Sequence, residues 1–192
     1  MTDAARPSPI ARLRRRLPSR RAYLKALHWS LVPLFFWFLL VTPSDVARWG
    51  PWAVDLHSDF GLLFTALSLV WFADWAWRGL ASRPGPKLKG ALRPLHTWLH
   101  RALVVGLAVL AFTGFLLGLT SSRLLLAGGW WPIAPPLGLP DWNRLAGVLH
   151  YTWFYGLAAV ALGHSAFHLW RHLRLRDNAL RIMAPKFFHR WL

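Results

Sequence analysis

An all-α integral membrane protein, a four-helix bundle threaded up and down with both termini cytoplasmic, is the fold class this sequence predicts. Three observations carry that prediction. The chain is 55% hydrophobic and yet holds a net charge of +16 over 192 residues, too apolar for a soluble domain this basic. Four apolar runs, near 25–43, 55–79, 96–119 and 147–170, approach the roughly 20 residues that a helix needs to cross a bilayer. The positive charges are segregated along the chain, dense before the first run, between the second and third, and after the fourth. No alternating pattern suggests a barrel, so the spans are helices, which satisfy their own backbone in lipid.

Residues 1–22 read as a basic cytoplasmic arm, with Arg12, Arg14, Arg15, Arg16, Arg20 and Arg21 among its charges. A basic start before an apolar run imitates a signal peptide. The run is long for one and carries His28, so an uncleaved first span is expected. That span opens at Tyr23 and ends near Thr42-Pro43-Ser44-Asp45. Trp49 and Trp52 in the next loop suit a membrane interface. The second span opens with His57-Ser58-Asp59-Phe60-Gly61 and closes at Trp75, Trp77 and Arg78. Ser82-Arg83-Pro84-Gly85-Pro86-Lys87 breaks the helix pattern. The third span opens with His96-Thr97-Trp98-Leu99-His100. The loop 120–146 holds Trp130, Trp131, Pro132, Pro135, Pro136 and Trp142, the composition of a rigid outer cover or of a docking surface for a partner. The fourth span completes a transmembrane domain over 23–185, and 186–192 form a short tail.

The two loops without dense basic charge hold only Arg48, Arg123 and Arg144. The positive-inside rule then puts the arm, the middle loop and the tail in the cytoplasm. Anionic headgroups are natural neighbours for these segments. Topology accounts for the asymmetry, so no nucleic-acid partner is expected. The absence of cysteine excludes disulfides, iron–sulfur ligation and covalent haem attachment.

Histidines inside hydrophobic spans are costly and usually functional. His150 and His164 lie 14 positions apart on the fourth span. At helical geometry that is about 21 Å along the axis and about 40° around it. One helix therefore offers an imidazole near each membrane face on nearly one side. His28 stands at the inner end of the first span and His57 at the outer end of the second. Antiparallel threading makes His28–His164 and His57–His150 natural pairs, each able to supply two neutral imidazoles to a haem iron. Gly61, one turn after His57, removes bulk on that face, and Gly147 and Gly163 do so beside the fourth-span pair.

Other histidines leave choices open. His168 is five helical turns after His150 and rivals His164 as the inner ligand, although His164 sits deeper. His164, His168 and His172 repeat every four residues, as in a helical metal site, but no carboxylate or cysteine is close in sequence to complete one. His96 and His100 share a face at the inner start of the third span. They read as interfacial polar caps or, with His168, as a quinone pocket where a titratable imidazole serves proton uptake. Asp74 and Arg78 are spaced for an i, i+4 ion pair.

These residues resemble the bacterial cytochrome b561 family, four-helix di-haem membrane proteins. Leu27-His28-Trp29 resembles the family's first-span motif, and His57-Ser58-Asp59-Phe60-Gly61 its HxxxG. His100 with Thr113-Gly114 resembles the third span, and His150 with His164 the fourth. Arg176-Asp177-Asn178-Ala179-Leu180-Arg181-Ile182-Met183-Ala184-Pro185 resembles the closing RDxxLxRMxP. The resemblance covers about residues 20–185. It implies two haem b, one on His28 and His164 and one on His57 and His150. It also implies a place in the bacterial inner membrane and electron exchange with a quinone, ubiquinone or menaquinone. The remaining partner would be a periplasmic electron donor or, alternatively, a larger oxidoreductase of hydrogenase or formate dehydrogenase type that this chain anchors.

Overall fold

The computed structural model describes residues 18–191. Most of the expected arm, 1–17, and the final residue of the expected tail lie outside them. Helix α1 spans Arg20–Leu40, α2 Pro43–Trp49, α3 Pro51–Arg78 and α4 Leu92–Thr120. Strands β1 (Leu125–Ala127) and β2 (Trp131–Ala134) form an antiparallel hairpin. Helix α5 spans Pro140–Trp170 and runs into a π-helical turn, Arg171–Leu175. Helix α6 (Ala179–Met183) and a 3-10 turn close the chain. Helices α1, α3, α4 and α5 are the four membrane candidates, packed against one another as expected. With its π-turn the last is 36 residues long, or about 54 Å, well beyond the ~30 Å hydrocarbon core.

The helices begin and stop for local reasons. Ser19 accepts the Ala22 amide and caps α1. Thr42 and Asp45 form a capping box on α2, and two hydrogen bonds from Thr42, hydroxyl first and then amide, hold the Asp45 carboxyl below its ordinary range. Gly50, at φ 103°, makes the corner between α2 and α3 in a conformation that a side chain would resist. Helix α1 starts three residues before the expected Tyr23, because Arg20 is drawn onto Asp74 of α3 (2.7 Å) and Gly79 O (2.6 Å). Tyr23 also donates to Asp74. The expected Asp74–Arg78 pair is present at 3.7 Å, but Arg78 is half exposed and Arg20 binds more tightly.

Contacts run α1–α3, α3–α4 and α4–α5, the last the most extensive. A Cβ on Gly106 would lie 2.6 Å from Leu157, so glycine lets α4 and α5 touch. Helices α1 and α5 meet through the rings of Phe35 and Phe154, 5.4 Å apart. The buried core is Leu31, Phe64, Leu110, Phe154 and Leu157, at least one residue from each long helix. Along α5, Phe154 and Leu157 fall between His150 and His164, so the apolar plug separates two histidine tiers.

Each end is closed differently. At the hairpin end, Asp59 accepts the Gly128 amide (2.8 Å), and Arg123 bridges to Asp55 (3.0 Å), pinning the hairpin to α3. At the terminal end, which holds residues 18 and 191, the chain folds back. Arg171 and Asp177 form a buried ion pair at 2.6 Å, and Asp177 also takes the Ala179 amide. Lys87 donates to the carbonyls of Leu175 and Arg176 beyond α5, Lys25 to Ala184 O, and Trp29 to Met183 O. These bonds are what the Arg-Asp-rich closing motif does structurally.

Candidate functional site

At the hairpin end, α3 carries His57 and α5 carries His150, close enough for their charges to interact. The His57 ring meets Phe38 of α1 edge-on at 4.9 Å, and its Nδ1 is buried with no partner. A Cβ on Gly61 would meet no atom within 4 Å, so the face one turn beyond His57 is open. His150 is held firmly. Its Nδ1 lies 3.1 Å from the Thr113 hydroxyl, which itself donates to the α4 carbonyls of Val109 and Leu110. With the single Thr113 proton on Val109 O or Leu110 O, Nδ1–H donates to the Thr113 hydroxyl and the Nε2 lone pair is left free. A Cβ on Gly114 would press His150 Cε1 at 2.9 Å. Thr113 orients the imidazole and Gly114 makes room for it.

At the terminal end five imidazoles converge. His28 of α1 packs edge-on against Trp29 and Trp71, within electrostatic reach of His100 and His164. The His100 ring lies 4.8 Å from that of His164 and 4.2 Å from that of His96. His168 lies 4.5 Å from His164 and 5.7 Å from His96. His28 Nδ1, His96 Nδ1, His164 Nδ1 and His168 Nε2 are buried without a hydrogen-bond partner. Orphaned buried nitrogens are costly, and a ligand that takes their lone pairs removes the cost. Two tiers of imidazole donors, with open space beside Gly61, fit non-covalent haem held by histidine.

His96 departs from the expected interfacial cap. It is 1% exposed, because α4 begins at Leu92 and carries it a turn inside, under Ser82 (3.3 Å). Beside Ser82 a cleft of about 510 Å³ opens, lined by Trp75, Ala76, Gly79, Leu80, Ser82, Arg83, Thr97 and Arg101. A metal-compatible grouping exists among the described residues, and it is not the stripe His164, His168 and His172 that the sequence spacing raised and left incomplete. It crosses helices and joins His96, His100 and His168.

The model of the family described as prokaryotic cytochrome b561 matches residues 19–186. This chain belongs to the prokaryotic cytochrome b561 family. Neither a curated protein nor a solved structure matches it. As a cytochrome b561 it is a multi-pass membrane protein of transmembrane electron transfer by haem b, the function to which its half-buried histidines are suited.

Sequence reasoning missed Ser82 as a partner of His96 and gave Thr113 only as part of a family likeness. Thr113 lies 37 positions from His150, and nothing in sequence joins the two. The signal available was Thr113-Gly114 itself, a hydroxyl beside a residue with no side chain in the middle of an apolar helix.

Proposed function

We propose that this cytochrome b561 holds two haem b, one on His57 and His150 and one on His28 and His164, and passes electrons between a periplasmic donor and the quinone pool of the bacterial inner membrane. The observation that carries this is the pair of imidazole tiers on α5, separated by the core of Leu31, Phe64, Leu110, Phe154 and Leu157. When bound, the haems supply one-electron redox chemistry. The chain's residues hold and insulate: Thr113 fixes the His150 tautomer, and the apolar plug keeps water from the middle of the bundle. His164 rather than His168 is the inner ligand in this reading, because it lies one turn deeper along α5.

Ubiquinone or menaquinone belongs in the cleft of Trp75, Arg83, Thr97 and Arg101. Thr97 and the two guanidinium groups offer donors to quinone carbonyls. Ser82, on the cleft wall and 3.3 Å from His96 Nε2, brings a hydroxyl of the cleft against the histidine cluster. Excess basic charge in the arm, the 79–91 loop and the tail supports a cytoplasmic position for this end.

A second reading, an anchor subunit of a hydrogenase- or formate dehydrogenase-type complex, is favoured by one feature. Trp130 is 80% exposed, Trp131 66% and Trp142 64%. Acid-acetone extraction and a pyridine haemochrome assay test both readings: about two extractable haems per chain are expected, and none refutes them. A stoichiometric partner retained in mild detergent selects the anchor. A periplasmic phosphatase that is active when fused after Leu192 overturns the orientation.

A further inference from the structure

We propose that His96, His100 and His168 form a binding site for a single zinc-class divalent ion, separate from the haem ligands. Each of the three offers one nitrogen, and these nitrogens lie within 4.8 Å of one another. His96 and His100 are one turn apart on α4, the spacing at which two imidazoles clamp one ion, and His168 comes from α5. Nitrogens bound to tetrahedral zinc at 2.0–2.1 Å lie about 3.3 Å apart, so closure needs shifts of no more than about 1.5 Å.

The hydrogen bonds around the triad set the tautomers that a metal requires. His100 Nδ1–H donates to His96 O at 2.7 Å, which leaves its Nε2 lone pair free. His96 Nε2 faces Ser82 Oγ at 3.3 Å, and its Nδ1 is buried without a partner. His168 Nε2 is likewise buried and unpartnered. A ligand histidine held through its other nitrogen is the usual support of a metal site. Three imidazoles with no carboxylate favour zinc, copper or nickel over magnesium or calcium. The charged pair beside the triad, Arg171–Asp177, sums to zero and does not repel a cation as a lone guanidinium would. His164 is not part of the converging set, although its ring touches His100 and His168.

The site rests on the reading that His164 and not His168 ligates the haem, and it is independent of the quinone assignment. The test uses haem-loaded full-length protein in detergent, dialysed against a chelator and then exposed to zinc chloride. One zinc per chain should survive gel filtration, and the zinc K-edge spectrum should show three imidazole nitrogens near 2.0–2.1 Å. His96→Ala and His168→Ala should lose the stoichiometric zinc, His189→Ala should keep it, and Ser82→Ala should weaken it about 10- to 100-fold. Absence of zinc at micromolar concentration, or an all-oxygen shell in the unmutated chain, overturns the proposal without any variant. So does equal zinc binding in His96→Ala and His168→Ala. Loss of haem from His168→Ala also overturns it, because that histidine then belongs to the haem.

Discussion

Gly114→Ala puts the hairpin-end site under direct mechanical test. The new Cβ would stand 2.9 Å from His150 Cε1 and 3.3 Å from its Nδ1. Ordinary Cβ contacts begin near 3.4 Å, so the ring must retreat about 0.5 Å from α4. The Thr113 bond would then stretch from 3.1 Å to about 3.6 Å, where it no longer counts as a hydrogen bond. Overpacking of this size costs about 1–3 kcal/mol, or roughly 5- to 150-fold in affinity for a group bound by His150. The expected outcome is selective loss or altered spin-resonance signature of one haem, with the other unchanged, read by pyridine haemochrome and low-temperature spectra. Gly106→Ala is the control. It drives a Cβ to 2.6 Å from Leu157, away from both tiers, and should loosen the α4–α5 seam without choosing between haems. If Gly114→Ala leaves both haems and their spectra intact, His150 is not a ligand held against α4 and the reasoning fails.

The remaining predictions concern other parts of the bundle. His57→Ala and His150→Ala should remove the same haem, and His28→Ala and His164→Ala the other; redox-titrated absorption showing one haem lost from both His57→Ala and His164→Ala refutes the pairing. Asp177→Asn strips the partner from Arg171, which is 3% exposed, and should cost about 3–5 kcal/mol, seen as a fall in unfolding temperature; an unchanged temperature means that the pair does not hold the tail. Asp45 has a folded pKa below its ordinary 3.8, so its contribution to α2 is full above 3.8 and lost as pH falls through the lower value. Amide protection in residues 44–49, taken as exchange relative to an unstructured chain at the same pH, should therefore fall only below pH 3.8, and a fall beginning near neutrality refutes the capping box.

Periodicity and hydropathy alone placed the four spans, because a bilayer imposes a length that composition reveals. The two histidine tiers on α5 were equally legible, since 14 residues fix both depth and direction along a single helix. What depended on contact between helices was not. Burial of His96 follows from the helix start at Leu92 and from Ser82 folding over it, and its approach to His168 depends on the α4–α5 register, which no local pattern encodes. Asp74 looked complete with Arg78 because a local partner was in view; the tighter partner, Arg20, is 54 positions away.

The fold-back that closes the terminal end also sets an order of assembly. Lys25 and Trp29 of the first helix are tied to Ala184 and Met183, and Lys87 to Leu175 and Arg176. Every one of these ties waits for residues 175–184 to be made, whereas Asp59 and Arg123 have their partners once residue 128 is in place. The hairpin is thus tied to α3 before α5 exists, and the end where five imidazoles converge is closed only afterwards.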